Sequence, residues 1–167
     1  MTRIRLARSG DYRALAAMRY RFRAETGVVN EAKPVFVKRC TSWMKKRFRK
    51  GSSPWRCWVV EEGKELLGHV CVQLFEKIPN PVNELELHAY ITNCYIIPEI
   101  RNQGVGKRLL NTALSWCRAR GADAVILWPN PASKSFYRRS GFVPSDIFEL
   151  RHGAAQPDRS DYNWPAR

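Results

Sequence analysis

No run in this sequence approaches the roughly 18 consecutive apolar residues of a membrane-spanning helix. Its opening, MTRIRLARSGDYRAL, carries charges where a secretory leader would have an apolar core. A soluble, cytoplasmic protein with no membrane partner is expected. Metal and redox patterns are missing too: Cys40, Cys57, Cys71, Cys94 and Cys117 are odd in number, lie far apart and form no C-x-x-C pair. They read as reduced thiols, with no metal site. Acidic residues are scarce, 15 Asp+Glu against 29 Lys+Arg, and the resulting net charge of +14 draws anionic ligands or nucleic acid without dictating a fold. Repeats, low-complexity tracts and linkers are lacking. The 167 residues, 44% hydrophobic, therefore read as one domain, 1–167, whose polar end, 152–167, is expected to be flexible.

What is present switches between two periods. TRIRLA (2–7) alternates like a strand, and Asp11 offers an N-cap to the amphipathic run YRALAAMRYRFRAE. PVFVKRCTSWMKKRFRK (34–50) predicts a second, densely basic helix closed by Gly51. WRCWVVEE (55–62) and ELLGHVCVQLFEKI (65–78) flank a turn at Gly63 and read as a hairpin, and LHAYITNCYII (87–97) as a third successive strand. Leu109, Leu110, Ala113, Leu114 and Cys117 then fall at helical spacing within about 104–120, and the apolar ADAVILWPN (122–130) follows as a strand. Strand, helix and strand in that order form a β-α-β unit with a parallel pair. A short helix over 132–142 and a last strand at DIFELR (146–151) complete an α+β chain with a mixed sheet.

The segment RNQGVGKR (101–108) places two glycines between that third strand and the helix after it, where each costs about 0.5–1 kcal/mol relative to alanine in a helix. Free N–H groups and the positive end of a helix dipole meet at this point, which suits a phosphate. Arg101, Lys107 and Arg108 add charge. A Walker loop is excluded, because position 101 is arginine where its first glycine belongs and position 108 is arginine where its hydroxyl belongs. The dinucleotide fingerprint is excluded as well, since Leu109 stands where its third glycine would be.

The pattern that fits is R/Q-x-x-G-x-G/A. CYIIPEIRNQGVGKRLL resembles motif A of the GNAT superfamily of acetyl-CoA-dependent N-acetyltransferases, and NPASKSFYRRSGF downstream resembles its motif B. The resemblance implies a GNAT fold, a central mixed but mostly antiparallel sheet of about six to seven strands flanked by about four helices. It implies acetyl-CoA as acyl donor, with the backbone of Ile96 and Ile97 pairing to the pantetheine arm where two strands splay apart. Arg101, Asn102, Gln103, Gly104, Val105, Gly106 and Lys107 would hold the pyrophosphate, and Asn130, Ser133 and Phe136 would line the other side.

Attack on a thioester needs a neutral amine and a proton for the departing thiolate. By the same resemblance Tyr137 is the general acid; residues alone would make it packing on a short helix. The glutamate that histone-acetylating members carry corresponds here to Tyr90. Glu86, on one face with His88, Tyr90 and Thr92 if the strand extends that far, is the nearest carboxylate and the expected base, with His88 as a further candidate. Cys94 has no base beside it, so direct transfer in a ternary complex is favoured over an acyl-cysteine. Glu84 and Glu86 would draw in a cationic amine, of a small molecule or a protein. The runs RYRFR (19–23) and KKRFRK (45–50) interleave aromatics with cations as nucleic-acid surfaces do, though solvated cationic helix faces look the same. The competing function is a basic acyl-CoA-binding or nucleic-acid-associated regulatory module with little turnover. A homodimer is left open.

Overall fold

The alternating runs on either side of Gly63 pair as expected. In the computed structural model, β2 (Trp55–Glu62) and β3 (Glu65–Glu76) form an antiparallel hairpin, and β4 (Leu87–Ile96) adds antiparallel to β3. β1 (Arg3–Leu6) lies antiparallel on the outer edge of β2. β5 (Ala124–Ile126) is parallel to β4, so the sheet order is β1-β2-β3-β4-β5. The structure describes residues 1–27, 29–48, 53–83 and 86–145. The expected strand at 146–151, the tail at 152–167, Glu84, and the end of the second basic run lie outside them. Among the described residues the sheet has five strands and there are four α-helices, and the class is α+β with one parallel pair.

The chain divides into two compact units, Met1–Asn130 and Pro131–Arg167. In the first, α1 (Tyr12–Glu25) and α2 (Lys33–Arg47) pack on one face of the sheet, where Tyr12, Leu15, Met44, Cys57, Val59 and Cys71 form a buried cluster. Strand alternation turns Trp58, Val60, Val70 and Val72 to the opposite face, which α3 (Val105–Ala119) covers with Val105, Leu109, Leu110, Ala113 and Cys117. Trp116 of α3 meets Trp58 edge to face at 5.3 Å. Each fully buried leucine there contributes about 1.5–3 kcal/mol.

Two expectations are corrected locally. Asp11 precedes α1 but does not cap it with its side chain; its carboxylate takes Arg5 at 2.7 and 3.0 Å and the Arg8 N–H at 2.6 Å. Arg5 also reaches Glu61 at 2.6 Å, so the group ties the sheet edge to the start of α1. Among the described residues the apolar run at 122–130 pairs only over Ala124–Ile126, where its pairing with β4 ends at Tyr90. In the second unit a 3-10 turn, Pro131–Ser133, leads into α4 (Lys134–Arg138), shorter than the 132–142 expected, and the chain leaves it through Gly141 at φ 90°.

Candidate active site

The β4–β5 pairing ends at Tyr90 opposite Ile126. From Ile91 to Ile96, roughly 20 Å at strand rise, the described residues pair β4 as a strand with β3 alone. Within this stretch the register against β3 slips by one residue between Thr92 and Tyr95, opposite Cys71 and His69, and Asn93 takes φ 54°. This bulge re-aims the end of the strand. Gly68 on β3 sits directly against it: a Cβ there would lie 2.4 Å from Ile96 Cδ1 and 2.8 Å from the Tyr95 carbonyl. Only glycine lets the two strands approach this closely.

After β4 the chain passes a 3-10 turn, Pro98–Ile100, and a short loop into α3. Asn102 has φ 62° and Gly104, the residue before the helix, φ 76°. Two left-handed residues in so short a loop curl the backbone so that its N–H groups converge, a concavity that favours anions. The first helical bond runs from Arg108 N–H to Gly104 C=O at 3.1 Å, which leaves the N–H groups of Val105, Gly106 and Lys107 without a partner in the helix. Nothing lies within 4 Å of a Cβ built on Gly104. Asn102, Gln103, Gly104 and Lys107 are exposed, Gly106 half-buried, and Val105 buried as the first anchor of α3.

Arg101 is already engaged. Its Nε donates to the Ile96 carbonyl at 2.8 Å, its terminal nitrogen to Glu25 Oε2 at 2.7 Å, and its guanidinium lies over the Tyr95 ring at 5.5 Å. Tyr95 donates its hydroxyl to Glu25 Oε1 at 2.5 Å. Burial pushes the Tyr95 phenol up, and the neighbouring carboxylate adds to it, to about 12. Burial also pushes the Glu25 carboxyl up, but the hydrogen bonds from Arg101 and Tyr95 outweigh it and hold the group below its ordinary range. Beside Tyr95, His69 is fully buried, with Nδ1 3.3 Å from Met18 Sδ and Nε2 without a partner; burial lowers it to about 3, so it is neutral.

The strand does not extend to Glu86. That residue stands one position before β4 with φ 58°, outside the strand's alternation, and its carboxylate accepts the Asn80 N–H at 2.7 Å. Its backbone carbonyl takes the Lys77 N–H at 2.8 Å, so Glu86 closes the connection between β3 and β4. His88 Nε2 lies 3.4 Å from Asp123 Oδ1, and Asp123 also takes Lys77 at 3.1 Å. Asn130 is exposed at the end of the first unit. In the second unit Tyr137 is 9% exposed, with Phe136 and Phe142 against it edge to face at 5.1 and 5.7 Å; Ser133 precedes its helix. Glu25, Tyr95 and His69 did not stand out in the sequence. A signal was there for two of them: Glu25 ends the helical run that starts at Tyr12, and Tyr95 lies six residues before Arg101 on the same strand and loop.

Residues 21–142 match the sequence profile of the Acetyltransferase (GNAT) family. An uncharacterized N-acetyltransferase of Methanocaldococcus jannaschii is 32% identical over 62 residues, 35% of this chain. The match spans about a quarter, 27%, of that relative. A predicted acetyltransferase from Clostridium acetobutylicum, solved with acetyl-CoA, superposes with a TM-score of 0.78 at 21% identity, over 90% of this chain and 96% of the other. A GCN5-related N-acetyltransferase from Ralstonia eutropha gives 0.73 at 22% identity, over 92% and 100%. At such identities these structures share the fold, and the profile match gives the descent: the chain belongs to the GNAT acetyltransferase family.

Proposed function

We propose that the protein is an N-acetyltransferase that takes its acetyl group from acetyl-CoA and transfers it to a primary amine of a small molecule, peptide or protein. The observation that carries this reading is the junction of the unpaired β4 edge with the free N–H groups at the head of α3. The residues fit the donor. The amides of Val105, Gly106 and Lys107, with open space before Gly104, suit a pyrophosphate, and Asn102 and Gln103 border it. The backbone of Ile96 and Ile97 suits the amides of an extended arm, and the family resemblance adds Asn130, Ser133 and Phe136 as donor contacts.

Acetyl-CoA supplies an activated acyl carbon as a thioester. The amine nitrogen attacks that carbon, a C–N bond forms as the C–S bond breaks, and the acceptor meets the donor directly, without an acyl-cysteine. Tyr137 gives its hydroxyl proton to the departing sulfur; a phenol near pKa ~10 can protonate a thiolate of ~8.5 with little penalty. Glu86 takes the amine proton. Standing five residues before the splay, about 16 Å at strand rise, it is out of direct reach and would act only through a chain of waters.

Thermal unfolding with and without acetyl-CoA, together with thiol release across a panel of amines, tests the reading. Acetyl-CoA should raise the Tm of the wild type and not that of Gly104→Val, whose side chain the left-handed backbone disfavours. Tyr137→Phe should lower kcat about 100-fold or more while acetyl-CoA affinity stays within a few fold. Acetyl-CoA binding without acceptor-dependent thiol release would instead establish an acyl-CoA-binding module. Wild-type turnover in Tyr137→Phe would remove its acid role.

A further inference from the structure

Three arginines alternate along the second half of α1, and they are treated differently. Arg21 is exposed and pairs with Glu25 at 3.7 Å and Glu99 at 2.8 Å. Arg19 and Arg23, one turn apart, are half-buried. Among the described residues no carboxylate pairs with either, and the Arg19 guanidinium lies over the Phe22 ring, 5.7 Å from its centre. The ionisable groups around Arg19 are Arg23, Cys71, Cys40, Tyr90 and His69, and none of them is a carboxylate. Burial lowers its pKa and Arg23 lowers it further. Withdrawing a cation from water without a counter-charge is costly, and a like charge one turn away adds repulsion. The other half-buried arginines among the described residues are held, Arg5 by Asp11 and Glu61 and Arg56 by the Ser53 and Trp55 carbonyls.

Their place gives the reason. Tyr90 is the last β4 residue paired with β5 and lies opposite Gln73, which shares with Cys71 the sheet face that α1 and α2 cover. Its ring meets Trp128, just past β5, edge to face at 4.7 Å. A donor anchored by its phosphates at Gly104–Lys107, with its arm along Ile91–Ile96, brings its acyl end to this corner. Arg19, half-buried on α1 with Cys71, Cys40 and Tyr90 among the groups around it, borders this corner.

We infer that the acceptor carries an anionic group, a carboxylate or a phosphate monoester, which Arg19 and Arg23 bind while its amine is presented beside Tyr90. This rests on the acetyltransferase reading above. The guanidinium fork matches either oxyanion bidentately, and the half-buried setting strengthens the bond. No bond to the anionic group forms or breaks; it is a handle. Of the carboxylates expected to draw in a cation, Glu84 lies outside the described residues and Glu86 is bonded to Asn80.

The test compares matched acceptors that differ only in the anion: an amino acid with its carboxamide, and ethanolamine with its phosphate monoester. The wild type should favour the anionic member by about 10- to 100-fold in kcat/KM, and Arg19→Met, which keeps the stem, should collapse that ratio toward unity through KM. In parallel, calorimetry with acetate and with inorganic phosphate, in saturating coenzyme A so that the loop is filled, should show binding that Arg19→Met and Arg23→Met lose. A ratio near or below unity in the wild type, or one that both variants retain, overturns the inference. If no amine is turned over, the calorimetric difference decides alone: present, it supports the anion site; absent, it removes it. Failure of acetyl-CoA itself to bind would count against the acetyltransferase reading and leaves that difference measurable. The preferred anion, acetate or phosphate, identifies the handle.

Discussion

The two faces of the sheet are built from different material. Toward α3 the contacts are those of an ordinary apolar core: Val60, Val70 and Val72 against Leu109, Leu110 and Ala113, with Trp58 on Trp116. Toward α1 and α2 an equally dry cluster around Leu15, Met44 and Cys71 gives way, along the same strands, to His69, Tyr95 and the arginines of α1. Polar groups buried without full partners cost stability. Here they gather on one face, beside the place where β4 leaves β5. One face holds the fold and the other trades stability for a place to bind.

The largest effect should come from the first face. Leu109→Ala removes a fully buried side chain between α3 and the sheet, and should cost about 2–5 kcal/mol in urea unfolding. A loss under about 1 kcal/mol would mean that α3 is not the anchor of that face.

The second face should announce itself in acid. His69 is held neutral in the folded state, its pKa lowered by burial and by Arg19 from 6.5 to about 3. Between those values the unfolded chain binds a proton that the folded chain refuses, so stability from this group is fully present above pH 6.5 and is lost as pH falls toward 3. At pH 5 the loss is about 2 kcal/mol, from ~1.36 kcal/mol per pH unit. The groups that face it are Arg19 and Tyr95, neither of which titrates between pH 5 and 7, and the uncharged Met18. His69→Leu should therefore narrow its gap to the wild type by that amount between pH 7 and pH 5. Parallel acid limbs for the two proteins would show that His69 reaches solvent.

How far these faces could be read beforehand differs as well. Apolar periodicity located α3, the hairpin and β4 to within a residue or two, because those elements are set by local pattern and burial. The glycines at 104 and 106 announced a backbone that must meet a ligand, and Gly104 is left-handed. Three features had no local signal. ADAVILWPN is mostly apolar, yet among the described residues only Ala124–Ile126 pair as a strand, because the divergence of β4 is a property of two strands. The bulge at Asn93 and the left-handed Glu86 depend on register across the sheet. The arginines of RYRFR look alike in sequence; only the rotation of α1 separates exposed Arg21 from half-buried Arg19 and Arg23.

Gly68 belongs to both faces, since it lets the end of β4 lie against β3. Gly68→Ala places a methyl group against the Tyr95 carbonyl, which is backbone and cannot step aside as the Ile96 side chain can. About 1–3 kcal/mol of strain is expected, with weaker coenzyme A binding because Ile96 moves. Unchanged binding at reduced stability would show that the Ile96 backbone does not touch the donor.

Glu25→Gln should have the smallest effect on stability and the most informative one on binding. The carboxylate is exposed, so its pair with Arg101 contributes little beyond about 1 kcal/mol. It nevertheless competes with any phosphate for Arg101, at 2.7 Å, and adds to the burial that pushes the Tyr95 phenol up to about 12. Removing its charge frees the guanidinium and leaves Tyr95 a neutral acceptor, and the phenol pKa should fall only partway, because burial still holds it up. If Arg101 serves the pyrophosphate, coenzyme A should bind a few fold more tightly to Glu25→Gln at low salt, and the gain should vanish in an Arg101→Gln background. If Glu25 instead holds Arg101 in the attitude the phosphate needs, affinity falls in the single variant and the double variant falls no further than Arg101→Gln alone. Both outcomes couple the end of α1 to the loop. Additive effects of the two substitutions would cut that link and leave the unpaired arginines Arg19 and Arg23 as the contribution of α1 to the site.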